Sequence, residues 1–178
     1  NSSASTCDPN SFFIHSIKMY NTIMFKNKFL SLILFLIITF SASFIGGLVS
    51  ITFKEPWYSG LIKSSYNPPD WIFAPVWTTL YLMMTMAIWF FWHNKKRDIN
   101  TVYIYFIHIV FNTTWSIVFF GLHQIFLAFI VLIVLICLII VLIIRFKRVT
   151  FVSYYLMIPY LLWCLYALFL NYNLLILN

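Results

Sequence analysis

The sequence of 178 residues has very little charge: 8% of its residues are Asp, Glu, Lys or Arg, and only four of these are acidic. An ordinary soluble domain has about 25% charged residues, because part of its surface must meet water. Here 63% of the residues are hydrophobic instead. This composition excludes a soluble globular protein and indicates that much of the chain faces lipid.

Residues that usually carry chemistry are also scarce. The three cysteines, Cys7, Cys137 and Cys164, lack the spacing that binds zinc or haem, so we expect no metal site and no cofactor. The four glycines form no phosphate-binding loop, and no nucleophile–base pair or pair of carboxylates can be assembled. The sequence therefore favours a protein that is not an enzyme.

Long segments without charge dominate the rest of the chain. They cover residues 29–53, 71–94, 99–144 and 149–178, and a helix needs about 20 apolar residues to cross a bilayer. The third segment is about twice one span and has a polar break at residues 121–124, so it predicts two helices. The predicted spans are Phe29–Ile51, Ala74–Trp92, Thr101–Phe120, Ile125–Ile144 and Phe151–Asn171.

We therefore predict an all-α fold, an integral membrane bundle of five transmembrane helices over residues 29–178. Residues 1–28 form an N-terminal tail. An odd number of spans places the two chain ends on opposite faces of the membrane. The protein is then a multi-pass membrane protein in contact with membrane lipid, and both a bacterial inner membrane and a mitochondrial outer membrane suit it.

The basic residues indicate the orientation of the chain. Nine of the eleven Lys and Arg residues lie before the first span, after the second or after the fourth, and only Lys54 and Lys63 lie on the other face. Positive charge accumulates on the cytoplasmic side of membrane proteins, so the N terminus is predicted on that side. Because these clusters are short and adjoin the spans, they do not indicate a nucleic acid partner.

No predicted span contains Asp, Glu, Lys or Arg. Ion-coupled pumps and transporters keep such residues in their spans for function, so this absence argues against that class. The one histidine well inside a span, His108, is expected to be neutral and hydrogen-bonded to a neighbouring helix.

Aromatic residues make up 21% of the chain. Trp89 and Trp92 end the second span beside polar residues, where indoles anchor a helix at the membrane surface. Trp77, Trp115 and Trp163 lie deeper, where an indole N–H has no lipid partner and faces either protein or a ligand.

Two asparagines, Asn112 and Asn171, also fall within spans. A buried amide needs a partner from another helix, from water or from a bound molecule. The interior of the bundle is therefore expected to be partly polar.

The connection between the first two spans, residues 52–73, is rich in both proline and aromatic residues. Pro68 and Pro69 stop regular helix, while Trp57, Tyr58 and Trp71 give the connection apolar surface. It can fold over the bundle as a lid or lie flat among lipid headgroups. We call this connection the lid.

Several sequence strings resemble the translocator protein family, also called tryptophan-rich sensory proteins or peripheral benzodiazepine receptors. They are residues 57–63 (WYSGLIK), 68–81 (PPDWIFAPVWTTLY), 112–121 (NTTWSIVFFG), 159–163 (PYLLW) and 170–172 (LNY). Two departures stand out: Ser64-Ser65-Tyr66 replaces the usual proline and tryptophan of the lid, and no basic residue follows Tyr172 to complete the C-terminal cholesterol pattern.

The resemblance implies a five-helix bundle, commonly a homodimer, whose pocket opens near the lid and takes porphyrins, sterols or benzodiazepine-type drugs. The positions that match this ligand-binding pocket are Tyr58, Phe73, Ala74, Trp77, Asn112, Trp115, Trp163, Ala167 and Leu170.

Three functions are compatible with the resemblance. The first is a membrane receptor or sensor for porphyrins or related hydrophobic ligands. The second is a transporter that moves tetrapyrroles or sterols across or into the membrane. The third is an enzyme that degrades porphyrin with the help of light or oxygen, because tryptophan is a poor acid or base.

Overall fold

The computed structural model describes residues 27–178. The predicted N-terminal tail, apart from its last two residues, lies outside this range. The five long helices are α1 (Lys28–Phe53), α2 (Phe73–Trp92), α3 (Ile99–Ser116), α4 (Ile125–Lys147) and α5 (Phe151–Leu177). Each is long and apolar enough to cross a membrane, and the described residues contain no strand. The predicted five-helix fold is confirmed.

Side chains in the connecting segments fix where two helices begin. The amide oxygen of Asn27 accepts a hydrogen bond from the backbone N–H of Phe29 at 3.0 Å and so caps α1. The carboxylate of Asp98 accepts from the N–H of Thr101 at 2.8 Å and caps α3. Both caps satisfy N–H groups that have no partner within their own helix.

α4 and α5 extend furthest past their predicted C-terminal ends. α4 continues to Lys147 because its last turn carries basic side chains, which interact favourably with the negative end of the helix dipole. α5 continues to Leu177, through residues that remain apolar. α4 thus extends past the uncharged segment 99–144, whereas α5 ends inside the segment 149–178.

The third span changes its geometry before it ends. Residues Ile117–Gly121 form a π-helix, in which the N–H of Leu122 bonds to the carbonyl of Ile117 at 2.9 Å. The chain then reverses at His123, whose φ of 55° lies in the left-handed region. The predicted span Thr101–Phe120 is therefore confirmed, and its last turn is a π-helix.

The five helices close into a ring in the order α1, α2, α5, α4, α3. The half of the ring away from the lid is filled by close-packed side chains. Its fully buried members include Met84, Ile88, Phe91, Tyr105, Ile139, Leu142, Phe146 and Met157. The half beside the lid encloses a cavity.

The small residues of α1 allow it to approach the bundle closely. Ala42 and Gly46 are buried, and a Cβ on Gly46 would lie 3.0 Å from the hydroxyl oxygen of Ser116 on α3. At Gly46, α1 therefore approaches α3 of the same bundle closely. A Cβ on the neighbouring Gly47 would meet no atom within 4 Å.

The two tryptophans at the end of α2 behave differently from each other. Trp89 is half-buried and donates its indole N–H to the carbonyl of Lys28 at 3.0 Å. Trp92 is only 8% exposed, with Phe35 against its ring and the Arg97 guanidinium 4.4 Å above it. The prediction of a surface anchor is wrong for Trp92, because its indole belongs to the buried core of the bundle and also lies beneath Arg97.

His108 is also bonded differently than expected. Its Nδ1 lies 2.7 Å from the carbonyl of Tyr105, one turn earlier in the same helix. The predicted bond to a neighbouring helix is therefore wrong. Its Nε2 has no hydrogen-bond partner among residues 27–178.

Candidate functional site

A cavity of about 500 Å³ lies inside the bundle beneath the lid. Residues from α1, α2, α3, α5 and the lid form its wall. All nine residues singled out from the sequence line it: Tyr58, Phe73, Ala74, Trp77, Asn112, Trp115, Trp163, Ala167 and Leu170. The structure thus brings these residues together, while their contact with a ligand stays a prediction.

Aromatic rings from three helices cover much of the wall. Trp77 of α2 packs against Tyr81 with 5.6 Å between ring centroids, and Trp163 of α5 meets the edge of Phe73 at 6.0 Å. Trp115 of α3 stacks almost parallel on Phe119, with 5.2 Å between ring centroids. Phe119 belongs to the π-helix Ile117–Gly121, which we call the π turn. Such faces suit a flat conjugated molecule.

Asn112 joins three helices at the floor of the cavity. Its amide oxygen accepts from the hydroxyl of Tyr81 on α2 at 2.5 Å, and its amide nitrogen donates to the hydroxyl of Tyr160 on α5 at 3.0 Å. Both partners are buried. Asn112 is therefore committed to the protein's own hydrogen bonds, and its position on the wall is rigidly defined.

Asn171 is a cavity residue that was not assigned to the site from the sequence. It is 2% exposed, it lines the cavity, and neither its amide oxygen nor its amide nitrogen has a hydrogen-bond partner in the described part of the chain. Helical spacing could have found it, because it shares one face of α5 with Trp163, Ala167 and Leu174. Asn171 belongs to the family string 170–172, but the pocket positions implied by the resemblance include only its neighbour Leu170.

The inner side of the lid packs onto the π turn. A short helix, Trp57–Gly60, places Tyr58 against the rings of Phe119 and Phe120, at 6.1 and 5.9 Å. Burial raises the pKa of Tyr58, so its hydroxyl stays protonated and donates to Asn67 at 3.2 Å. Tyr58 thus forms a neutral part of the cavity's cover.

Two aromatic side chains of the lid are largely exposed, although the Tyr66 ring also meets Phe169 of α5 at 5.7 Å. Trp71 is 73% exposed and Tyr66 is 67% exposed. Tyr58 and Asn67 of the lid line the cavity, while the placement of its exposed rings among lipid headgroups stays a prediction.

Hydrogen bonds from α5 hold the lid in place. The amide of Asn178 accepts from the N–H of Ile62 at 2.9 Å and donates to its carbonyl at 3.1 Å. One turn past Trp163, the hydroxyl of Tyr166 donates to the carbonyl of Tyr66 at 2.7 Å. The lid keeps an ordered position although the proline of the family pattern is replaced there.

Charged groups surround the mouth of the cavity. Lys54 forms an ion pair with Asp70, which links the end of α1 to the start of α2. The ammonium group of Lys54 also lies 5.1 Å from the ring centroid of Tyr58, and that of Lys63 lies 4.5 Å from it. The entrance is therefore polar, while the wall behind it is aromatic.

Comparison with known proteins agrees with this architecture. The sequence pattern of the TspO/MBR family matches residues 33–177. The chain belongs to the TspO/MBR family. It is 34% identical to the tryptophan-rich protein TspO of Chlorobaculum tepidum over 68% of this chain and 79% of that protein.

Other TspO/MBR relatives come from distant organisms. The chain is 30% identical to the tryptophan-rich protein TspO of Archaeoglobus fulgidus, over 84% of this chain and 97% of the relative. It is 29% identical to the human translocator protein, over 65% of this chain and 71% of the relative. With its five spanning helices, this TspO/MBR protein is a multi-pass integral membrane protein.

Proposed function

We propose that this protein is a membrane receptor that binds porphyrins or related flat hydrophobic molecules in the cavity beneath the lid. The observation that carries the proposal is the convergence of Trp77, Trp115 and Trp163 from three helices on one covered cavity. Its volume of about 500 Å³ falls in the range of small-molecule sites. Sterols and benzodiazepine-type drugs belong to the same class of ligand.

Titration with protoporphyrin tests the proposal. We expect quenching of tryptophan fluorescence and a micromolar dissociation constant, on the order of −8 kcal/mol of binding free energy. Replacement of Trp77 or Trp163 by Phe removes part of the aromatic wall and should weaken binding. Trp89→Phe is the matched control, because this indole lies outside the cavity wall. Unchanged affinity in both cavity variants would reject the assignment of the site.

Transport is the second candidate, and the name of the human relative, translocator protein, is the observation in its favour. The close-packed half of the bundle opposes a continuous path, because passage would require buried residues such as Phe91 and Phe146 to separate. Entry and exit on the lid side therefore fit the structure better. If porphyrin-loaded vesicles leak equally fast with and without the protein, the transport candidate is excluded.

Porphyrin degradation is the remaining alternative. The names of the three relatives described above do not refer to an enzyme. Degradation driven by light would bleach the absorbance of the bound porphyrin under illumination and not in darkness. A spectrum that is stable in both conditions would exclude it.

The homodimer implied by the family resemblance also stays a proposal. Mass measurement of the protein in detergent, corrected for bound detergent, distinguishes one chain of 21.2 kDa from two.

A further inference from the structure

The face of the bundle opposite the lid has most of the basic side chains. Among residues 27–178 it has seven basic residues and one acidic residue, Asp98, whereas the lid face has two of each. The seven are Lys28, Lys95, Lys96, Arg97, Arg145, Lys147 and Arg148. The orientation of the chain requires only their number. Their positions and contacts indicate in addition what this face can bind.

Two connections meet at this face: the segment between α2 and α3 and the segment between α4 and α5, called here the 2–3 and 4–5 connections. The side-chain amide of Asn94 donates to the carbonyl of Val149 at 3.1 Å and so joins them. Lys95 and Arg148 are the chain neighbours of these two residues. The basic residues of both connections therefore form one surface, the basic patch, which consists of Lys95, Lys96, Arg97, Arg145, Lys147 and Arg148.

Most cations of the basic patch have no carboxylate partner. The only acidic residue beside them, Asp98, already caps α3 and pairs with Arg145 at 3.5 Å. The exposed members that form no ion pair within the described residues are Lys95, Lys96, Lys147 and Arg148. The patch therefore has an excess of positive charge that an anionic partner would neutralise.

The two lysines of the lid face are instead bound to the protein itself. Lys54 forms its ion pair with Asp70. The ammonium of Lys63 lies over the ring of Tyr58 and 3.5 Å from the carbonyl of Ser59. With two acidic residues to balance these lysines, the lid face has no comparable excess of charge.

Aromatic rings indicate that the basic patch lies at the depth of the lipid headgroups. Tyr103 and Tyr155 lie in the first two turns of α3 and α5 and are largely exposed, a position typical of tyrosine at a membrane–water interface. The ammonium of Lys147 lies 5.5 Å from the ring centroid of Tyr154 at the same end of α5. A lipid headgroup meets the cations and the rings together, whereas a water-soluble polyanion meets only the cations.

We propose that the basic patch binds anionic phospholipids of the cytoplasmic leaflet, with a lipid phosphate bridging the 2–3 and 4–5 connections. The phosphate offsets the repulsion between Lys95 and Arg148, which flank the Asn94–Val149 hydrogen bond. Bound lipid thereby stabilises the end of the bundle opposite the lid. This interaction does not involve the cavity, so its test is independent of the proposed function.

Lipid binding to the purified protein in a neutral detergent tests the proposal. Native mass spectrometry gives the dissociation constants of phosphatidylglycerol and phosphatidylcholine with the same acyl chains, and we expect phosphatidylglycerol to bind more tightly. One basic residue at a membrane surface contributes about fivefold to the affinity for anionic lipid. The double variant Lys95→Gln, Arg148→Gln should therefore lose about 25-fold in affinity for phosphatidylglycerol and none for phosphatidylcholine.

Two further variants complete this experiment. Lys96→Gln combined with Lys147→Gln removes two other charges of the patch and should also reduce the preference for phosphatidylglycerol. Lys63→Gln, the control on the lid face, should leave the preference unchanged.

Thermal unfolding separates lipid binding from a structural role of these side chains. Without lipid, the variant Lys95→Gln, Arg148→Gln should unfold at the same temperature as the unmodified protein or a higher one, because it removes like charges. Phosphatidylglycerol should raise the midpoint of the unmodified protein more than phosphatidylcholine does, and this difference should vanish in the variant. Salt at about 1 M, where the Debye length is about 3 Å, should also remove most of the difference.

Several results would overturn the proposal. They are equal affinity for the two lipids, a preference that survives in both double variants, an equal loss in Lys63→Gln, and a lowered unfolding midpoint of the lipid-free Lys95→Gln, Arg148→Gln variant. If glycerol 3-phosphate raises the midpoint as much as phosphatidylglycerol does, the patch binds free phosphate instead. If polyglutamate does so, the patch is a site for an acidic protein.

Discussion

At the scale of single residues, two adjacent glycines of α1 have opposite surroundings. A Cβ at Gly46 would press on the hydroxyl of Ser116, whereas one at Gly47 would meet open space. Gly47→Ala should keep or raise stability, by up to about 1 kcal/mol, because alanine favours helix. Gly46→Ala should be less stable than Gly47→Ala by about 1 kcal/mol, because the overpacked contact must shift.

Thermal unfolding in detergent measures this difference. Adding Ser116→Ala to Gly46→Ala removes the hydroxyl and should restore most of the loss. Equal stability of the two glycine variants would show that α1 does not approach α3 as closely as described.

The hydrogen bonds of Asn112 should also contribute to the stability of the protein. Asn112→Leu leaves the buried hydroxyls of Tyr81 and Tyr160 without their partner, which should lower the free energy of unfolding by about 1–3 kcal/mol. Replacing both tyrosines by Phe in the same variant should recover part of the loss. If Asn112→Leu unfolds at the same temperature as Asn173→Leu, the network has no role in stability.

At the scale of elements, three hydrogen bonds join the lid to α5 and to Asn178 at its end, and they would have to break for the lid to open. The double variant Tyr166→Phe, Asn178→Ala removes three hydrogen bonds to the lid, and each contributes roughly 0.5–1.5 kcal/mol. Porphyrin should then both bind and dissociate faster, by about tenfold, because opening costs less. Stopped-flow fluorescence measures both rates, and Asn173→Ala on the same helix is the control. Rates equal to those of the control would mean that ligands do not enter past the lid.

The elements also show which parts of the structure a sequence can predict. Long uncharged segments marked all five helices, because a helix in lipid satisfies its own backbone and needs a minimum length. The side-chain amide of Asn178 bonds to the backbone of Ile62, 116 positions away, and a backbone partner leaves no pattern in the sequence. The polar neighbours of Trp92 predict a position at the membrane surface, but its ring packs into the core against residues distant in the sequence, such as Phe35.

The sequence also predicts some features of the candidate site and not others. Trp77 and Trp163 stood out because indoles deep in a span need a protein or ligand environment, and both line the cavity. Asn171 stood out as an amide within a span, but no local signal showed that it would be left unpaired. Whether the Asn171 amide finds a hydrogen-bond partner depends on the side chains that other elements of the cavity wall place beside it.

At the scale of the whole molecule, charge is distributed unevenly between the two faces. The face of the 2–3 and 4–5 connections is strongly basic, while the lid face has two lysines and two acidic residues. The lid should therefore lie on the side of the membrane opposite the cytoplasmic side. In a variant without Cys7, Cys137 and Cys164, a membrane-impermeant thiol reagent should reach Ser65→Cys and Lys96→Cys from opposite sides. Labelling from the same side would contradict the orientation.

The π-helix at Ile117–Gly121 makes the number of residues in this segment important for the structure. Its wider loop contains one residue more than an α turn, and both Phe119 and Phe120 reach Tyr58 from it. Deleting a single amino acid there would restore α-helical bonding and swing the following side chains by about 100°. Only one phenyl ring could then support the cover. An insertion or deletion in this stretch should therefore be more harmful than most conservative replacements within it.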